Sequence, residues 1–171
     1  MQQRAWKVCA VVLAVAVGLN YPWEMLQTPL YRVEDGGLPS WIHCLRASVG
    51  DGLVVLAALV LGALVFRRLD WFRRPGRGGY IWMLTSSLCI AVALEWASVH
   101  VLHRWSYSPA MPFLPVLKIG LVPIAQMAVL PPAIFAIAAR HAEPGSGSGL
   151  TCRHILPGSI FSFPERSSDG T

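Results

Sequence analysis

Apolar residues gather into four long stretches separated by short polar or basic segments. The first begins near Lys7 and runs to about Gln27, interrupted by Asn20, Pro22 and Glu24. The second begins near Ala47 and ends at Phe66, its strictly apolar part confined to Gly52–Phe66. The third is Tyr80–Val101, and the fourth runs from about Leu117 to Ala139. A helix needs about 20 residues to cross the hydrocarbon of a bilayer, and each stretch supplies that length. The pattern predicts an all-α, polytopic integral membrane protein with spans at about 7–27, 47–66, 80–101 and 117–139. Pro123, Pro131 and Pro132 lie within the fourth, so that helix is expected to be kinked.

Composition agrees with this class. Hydrophobic residues make up 54% of the chain and charged ones only 13%, about half the charged share of an ordinary soluble domain. The first span has the basic leader of a secretory signal, but its small-residue triplet Ala14-Val15-Ala16 falls inside the apolar run. No polar cleavage region follows, which favours a retained helix. After Arg140 the composition shifts to Glu143-Pro-Gly-Ser-Gly-Ser-Gly149 and a tail rich in Pro, Gly and Ser. This divides the chain into a membrane domain, 1–141, and a flexible cytoplasmic tail, 142–171.

The basic residues set an orientation. Arg4, Lys7, Arg67, Arg68, Arg73, Arg74, Arg77, Arg140 and Arg153 flank one side, against Arg32, Arg46, Arg104 and Lys118 on the other. The positive-inside rule then predicts a multi-pass protein of the cell membrane with both termini cytoplasmic. Trp6, Trp71 and Trp82 are expected in the inner aromatic belt; Trp23, Trp41 and Trp105 in the outer one. A net charge of +5 placed beside apolar spans suits anionic lipid headgroups. No nucleic-acid-binding motif accompanies it, and no nucleic-acid partner is expected.

Three acids then stand out at comparable depth: Glu24, Asp51 and Glu95. A carboxylate in hydrocarbon costs about 2.5–3.5 kcal/mol on insertion scales, so it turns toward a partner, a cavity or a substrate path. Asn20, Glu24 and Gln27 recur at spacings of four and three, which places them on one helix face, with Tyr31 one turn further. Asp51 lies near the outer end of span two, Glu95 near the outer end of span three, and Gln126 inside span four. Glu24, Asp51 and Glu95 are the candidate catalytic groups; Asn20, Gln27, Arg104, Lys118 and Gln126 are candidate substrate-binding residues.

Structural roles compete for the same residues. Glu24 and Asp51 fit the headgroup level, Asp51 suits a helix start, and Glu95 has Lys118 or Arg104 as a possible ion-pair partner. The amides suit interhelical hydrogen bonding. His43, Cys44, His100 and His103 carry metal-ligating atoms but form no compact ligand motif, and Cys9, Cys44, Cys89 and Cys152 form no C-x-x-C pair. No metal or other cofactor is expected.

Two functions follow from different classes. One is an accessory or scaffold subunit of an inner-membrane assembly, its polar groups paired with a membrane-protein partner or a second copy of the chain. The alternative is a membrane-embedded enzyme acting on a lipid or isoprenoid from the outer leaflet, as an isomerase, cyclase or headgroup transferase. In that reading one carboxyl holds its proton as general acid while another serves as base, and Arg104 or Lys118 holds an anionic headgroup. Membrane lipids are the surroundings in both.

Overall fold

A computed structural model describes residues 2–32 and 40–141. Four helices make up most of it: α1, Gln2–Gln27; α2, Ser40–Phe66; α3, Gly76–Trp96; and α4, Leu121–His141. All four are long and apolar enough to cross a membrane. The tail expected from 142 onward lies outside the described residues, as does Cys152.

Helix starts differ from the sequence reading: α1 starts at Gln2 rather than near Lys7, α3 at Gly76 rather than Tyr80, and α2 and α4 shift as well. Helix α2 starts at Ser40, seven residues before Ala47. Polar Ser40, His43, Arg46 and Ser48 lower hydropathy there but do not oppose helical backbone, and Ser48 Oγ donates back to the Cys44 carbonyl at 2.5 Å. Helix α4 starts at Leu121, four residues after Leu117. Residues Phe113–Leu114 (β3) and Ile119–Gly120 (β4) instead pair as a small antiparallel hairpin, Phe113 opposite Gly120. Pro123 consequently falls in the first turn of α4, where its missing amide hydrogen has no intrahelical partner to lose. Pro131 and Pro132 remain inside the helix.

The helices form a ring. Helix α1 packs against α2 and α4, α3 packs against the same two, and α1 and α3 stand diagonally. The seam changes character along its length. On α1 one stripe runs Val8, Val12, Ala16, Asn20, Glu24, Gln27: apolar for three turns, then polar. Val55 and Leu59 of α2, Met83 of α3, and Ile134, Phe135 and Ala138 of α4 complete the apolar part. Lipid tails are as apolar as these side chains, so close contact rather than escape from water holds such a seam together. Small residues permit it. A Cβ on Gly52 would meet Leu13 Cδ1 at 3.0 Å and Val17 Cγ2 at 3.3 Å.

Aromatic rings close the apolar end. Trp71, in a single 3-10 turn between α2 and α3, lies 5.2 Å from the Phe66 ring and 5.5 Å from Phe135. Its indole N–H donates to the Leu59 carbonyl at 3.0 Å. The sequence reading put Trp71 in an interfacial belt; it is 2% exposed and belongs to the core. Gly62 makes the room, since a Cβ there would stand 2.5 Å from the Trp71 ring.

The opposite end carries a small cap. Pro29 follows α1 within a 3-10 turn, Thr28–Leu30, and the residue before a proline disfavours helical backbone. The chain becomes extended at Tyr31–Arg32 (β1), which pairs antiparallel with Ser106–Tyr107 (β2), Tyr31 opposite Tyr107. A π-helical turn, Ala97–Val101, leads from α3 toward β2. Wide turns of this kind recur at functional sites.

Candidate functional site

The polar end of the seam and the aromatic cap meet. Asn20, Glu24 and Gln27 come from the last two turns of α1, Asp51 from the N-terminal half of α2, and Gln126 from the second turn of α4. Gln126 is the hub. Its Nε2 stands 2.7 Å from Asn20 Oδ1, 2.8 Å from Asp51 Oδ2 and 3.1 Å from Glu24 Oε1. Gln27 Nε2 donates to Glu24 Oε1 at 2.6 Å and to Gln126 Oε1 at 3.2 Å. Asn20 Nδ2 turns back to the Ala16 carbonyl at 2.8 Å. Glu24 and Asp51 are also within hydrogen-bond reach of one another. Asn20, Gln27 and Gln126 are buried, whereas the carboxyl residues are partly open.

Glu95 joins from α3 through the cap. Tyr107 Oη donates to Glu95 Oε1 at 2.5 Å, and its ring lies against Gly120, where a Cβ would meet Tyr107 Cε1 at 3.0 Å. The rings of Tyr31 and Tyr107 lie 5.7 Å apart, and Trp105 meets Tyr31 edge-on at 6.4 Å. Tyr31 lies within electrostatic range of Glu95, Glu24 and Asp51, so it faces all three acids from the cap. Burial, then the charges of Glu95 and Glu24, push the Tyr31 phenol above its ordinary range. Burial and the bond to Glu95 do the same to Tyr107. Both phenols therefore keep their hydrogens at neutral pH and serve as donors.

Six of the eight expected site residues thus converge: Asn20, Glu24, Gln27, Asp51, Glu95 and Gln126. Arg104 and Lys118 do not. Both are exposed, and no ion pair joins either to Glu95 among the described residues. Lys118 closes the β3–β4 loop directly before β4, its N–H donating to the Leu114 carbonyl at 2.9 Å, with φ 51° in a left-handed turn position. The expected structural partner of Glu95 is replaced by a phenol.

Tyr107 and Trp105 were not expected in the site. Their signal lay in Arg104-Trp-Ser-Tyr107, which follows Glu95 closely and carries two aromatic donors, but only strand pairing with Tyr31 reveals that they fold inward. The histidines and Cys44 do not assemble. Cys44 Sγ contacts Thr28 Oγ1 at 3.2 Å, His100 Nε2 contacts the Leu117 carbonyl at 3.2 Å, and the described residues contain no group of three metal-ligating side chains.

Chemically, the site is a set of three carboxyls buffered by amides and phenols rather than by cations. It can hold and exchange protons, and it favours positive charge. No family model, curated protein or solved structure matches the chain.

Proposed function

We propose that the chain is a membrane-embedded enzyme that uses Glu24, Asp51 and Glu95 for proton transfer on a lipid or isoprenoid substrate. The observation that carries this reading is the contact of Glu24 and Asp51 on the single amide nitrogen of Gln126. Two carboxyls held on one amide place an acid and a base side by side, which is the pairing that isomerisation, cyclisation or headgroup transfer requires. Glu95, with Tyr107 as its donor, is a second proton-transfer or charge-stabilising group on the other side of Tyr31.

The accessory or scaffold reading sets these polar groups against a membrane-protein partner or a second copy; most of them hydrogen-bond to one another within the chain, which favours the enzyme. The partial exposure of the carboxyl residues supplies the access a substrate needs. In the orientation that the positive-inside rule predicts from the basic residues, with both termini in the cytoplasm, the acid cluster belongs to the outer leaflet.

The test is a comparison of lipid extracts from cells carrying the wild-type chain, Asp51→Asn and Glu24→Gln. Turnover requires that the wild type alter the abundance of at least one lipid or isoprenoid species and that both variants, expressed at equal level, lose the change. Extracts indistinguishable between wild type and a deletion strain would remove the enzymatic reading.

A further inference from the structure

One acceptor among the amides of the cluster has no donor. The acceptors are the carboxyl oxygens of Glu24 and Asp51, Asn20 Oδ1, Gln126 Oε1 and Gln27 Oε1. The amide hydrogens between the helices are few, while the Tyr31 phenol and the unpartnered Trp105 indole N–H belong to the cap. Gln126 Nε2 has two hydrogens and stands within reach of three acceptors. One hydrogen of Asn20 is spent on the Ala16 carbonyl, and both hydrogens of Gln27 point at Glu24 and Gln126. Gln27 Oε1 is left with no partner, on a residue only 5% exposed. A buried amide oxygen without a donor costs about 1–3 kcal/mol, and rotating the amide only exchanges this defect for an oxygen facing Glu24 Oε1. The acceptor left without a donor belongs to the same side chain that holds Glu24.

Charge points the same way. Three carboxyls gather with neither Arg104 nor Lys118 paired to Glu95 among the described residues, and the Tyr31, Trp105 and Tyr107 rings pack together in the adjoining cap. Aromatic faces beside carboxylates attract cations. A quaternary ammonium satisfies the rings and the charge but brings no N–H. A neutral hydroxylated group brings hydrogens but no charge. A primary ammonium brings three N–H donors and the charge together.

We infer that the site formed by Glu24, Gln27, Asp51 and Gln126, capped by Tyr31 and Trp105, binds a primary ammonium group. The inference rests on the reading of this cluster as a ligand site and names the chemistry of what enters it. Two sources present that group: the ethanolamine headgroup of a phospholipid and a free amine. Gln27 Oε1 accepts one N–H, the Glu24–Asp51 pair accepts the others, and the indoles report the event.

The purified full-length protein is titrated with short-chain phosphatidylethanolamine, phosphatidylcholine and phosphatidylglycerol, and separately with ethanolamine and choline, while tryptophan emission is followed. Saturable change with phosphatidylethanolamine, at least tenfold tighter than with the other two lipids, is expected and assigns a lipid source. Saturation by ethanolamine as tightly as by the lipid assigns a free amine instead; both outcomes support the ammonium. Equal response to choline-bearing and ethanolamine-bearing ligands, or none, overturns it. Asp51→Asn is expected to weaken the response at least tenfold, and Arg77→Ala to leave it unchanged. Thermal unfolding of each variant is recorded alongside; if Asp51→Asn fails to fold, Gln27→Leu, which removes the orphan oxygen, takes its place with the same expectation. Binding without any change in cellular lipids would leave this inference standing and reject the enzymatic reading; lipid turnover without ammonium preference would do the reverse.

Discussion

Tyr107 reaches Glu95 across 2.5 Å from a two-residue strand, donating the hydrogen that a salt bridge would otherwise supply as charge. A phenol partner costs less desolvation than an ammonium or guanidinium. It also ties α3 to the cap, because the same residue pairs with Tyr31 at the end of α1.

Tyr107→Phe removes that donor while keeping the ring. A buried acceptor left unsatisfied costs about 1–3 kcal/mol, so the variant is expected to unfold at lower temperature in detergent by a margin of that size. Glu95→Gln in the Tyr107→Phe background should recover part of the loss, since an amide is cheaper than a carboxylate to leave partly unsatisfied. Differential scanning fluorimetry on the three variants measures the coupling; strictly additive effects would show that the 2.5 Å contact contributes nothing.

Lys118 gives the complementary case. It is exposed and forms no ion pair with Glu95, and substitutions at such positions change stability by about 0.5 kcal/mol or less. Lys118→Gln is therefore expected to unfold with the wild type. The double variant with Glu95→Gln should match Glu95→Gln alone. Recovery of stability in the double variant would instead reveal a buried ion pair.

How far the chain could be read in advance follows from where its information sits. The stripe Val8, Val12, Ala16, Asn20, Glu24, Gln27 is visible in the sequence because helical periodicity is local, and with it came the convergence of the acids at one end of the bundle. Helix ends were misplaced at Ser40 and Leu121 because hydropathy reports solvent preference, not backbone conformation. Arg104 and Lys118 were drawn into the site by charge alone, which carries no direction; the left-handed φ of Lys118 and the β3–β4 pairing turn it away. Trp71 was placed at an interface for its residue type, whereas its position is set by Gly62 on another helix. Tyr107 was missed for a related reason: its pairing with Tyr31 spans 76 residues of sequence.

Gly62 and Gly18 separate packing from intrinsic preference. Both lie inside helices, where alanine is favoured over glycine by about 0.5–1 kcal/mol. Nothing lies within 4 Å of a Cβ on Gly18, while one on Gly62 would meet Trp71 at 2.5 Å. Gly18→Ala should be neutral or mildly stabilising. Gly62→Ala should destabilise by about 1–3 kcal/mol through overpacking and shift Trp71 emission. Unfolding curves of the two variants that coincide would contradict the close contact of α2 with the Trp71 ring.

Orientation can be tested at exposed positions. Native Cys44 is a poor reporter, being 4% exposed and against Thr28. Val116, at the β3–β4 turn, is 89% exposed, and Gly78 lies in the first turn of α3 beside the arginine-rich loop, with open space around its Cβ position. In a background with the native cysteines changed to serine, Val116→Cys is expected to react with a membrane-impermeant maleimide on intact cells. Gly78→Cys should react only after permeabilisation. Reversed labelling would put the arginines outside and the cap in the cytoplasm.

Gln126 is the most demanding test of the site as a unit. Its amide nitrogen faces Asn20, Asp51 and Glu24, and its oxygen accepts from Gln27. Gln126→Leu preserves approximate volume and removes every one of these contacts, stranding several buried polar groups at about 1–3 kcal/mol each when no water replaces the amide. Gln27→Leu removes the donor to Glu24 but leaves Asn20 and Asp51 served by Gln126, so it should cost less. Gln126→Glu exchanges the donor for a fourth carboxyl, adding like-charge repulsion to the loss. The expected order of thermal stability is therefore wild type, then Gln27→Leu, then Gln126→Leu, with Gln126→Glu lowest at neutral pH and partly recovering at acidic pH as carboxyls take up protons. A Gln126→Leu variant as stable as wild type would mean that water already serves the acids, and that the amide is a bystander in an open, solvated cleft.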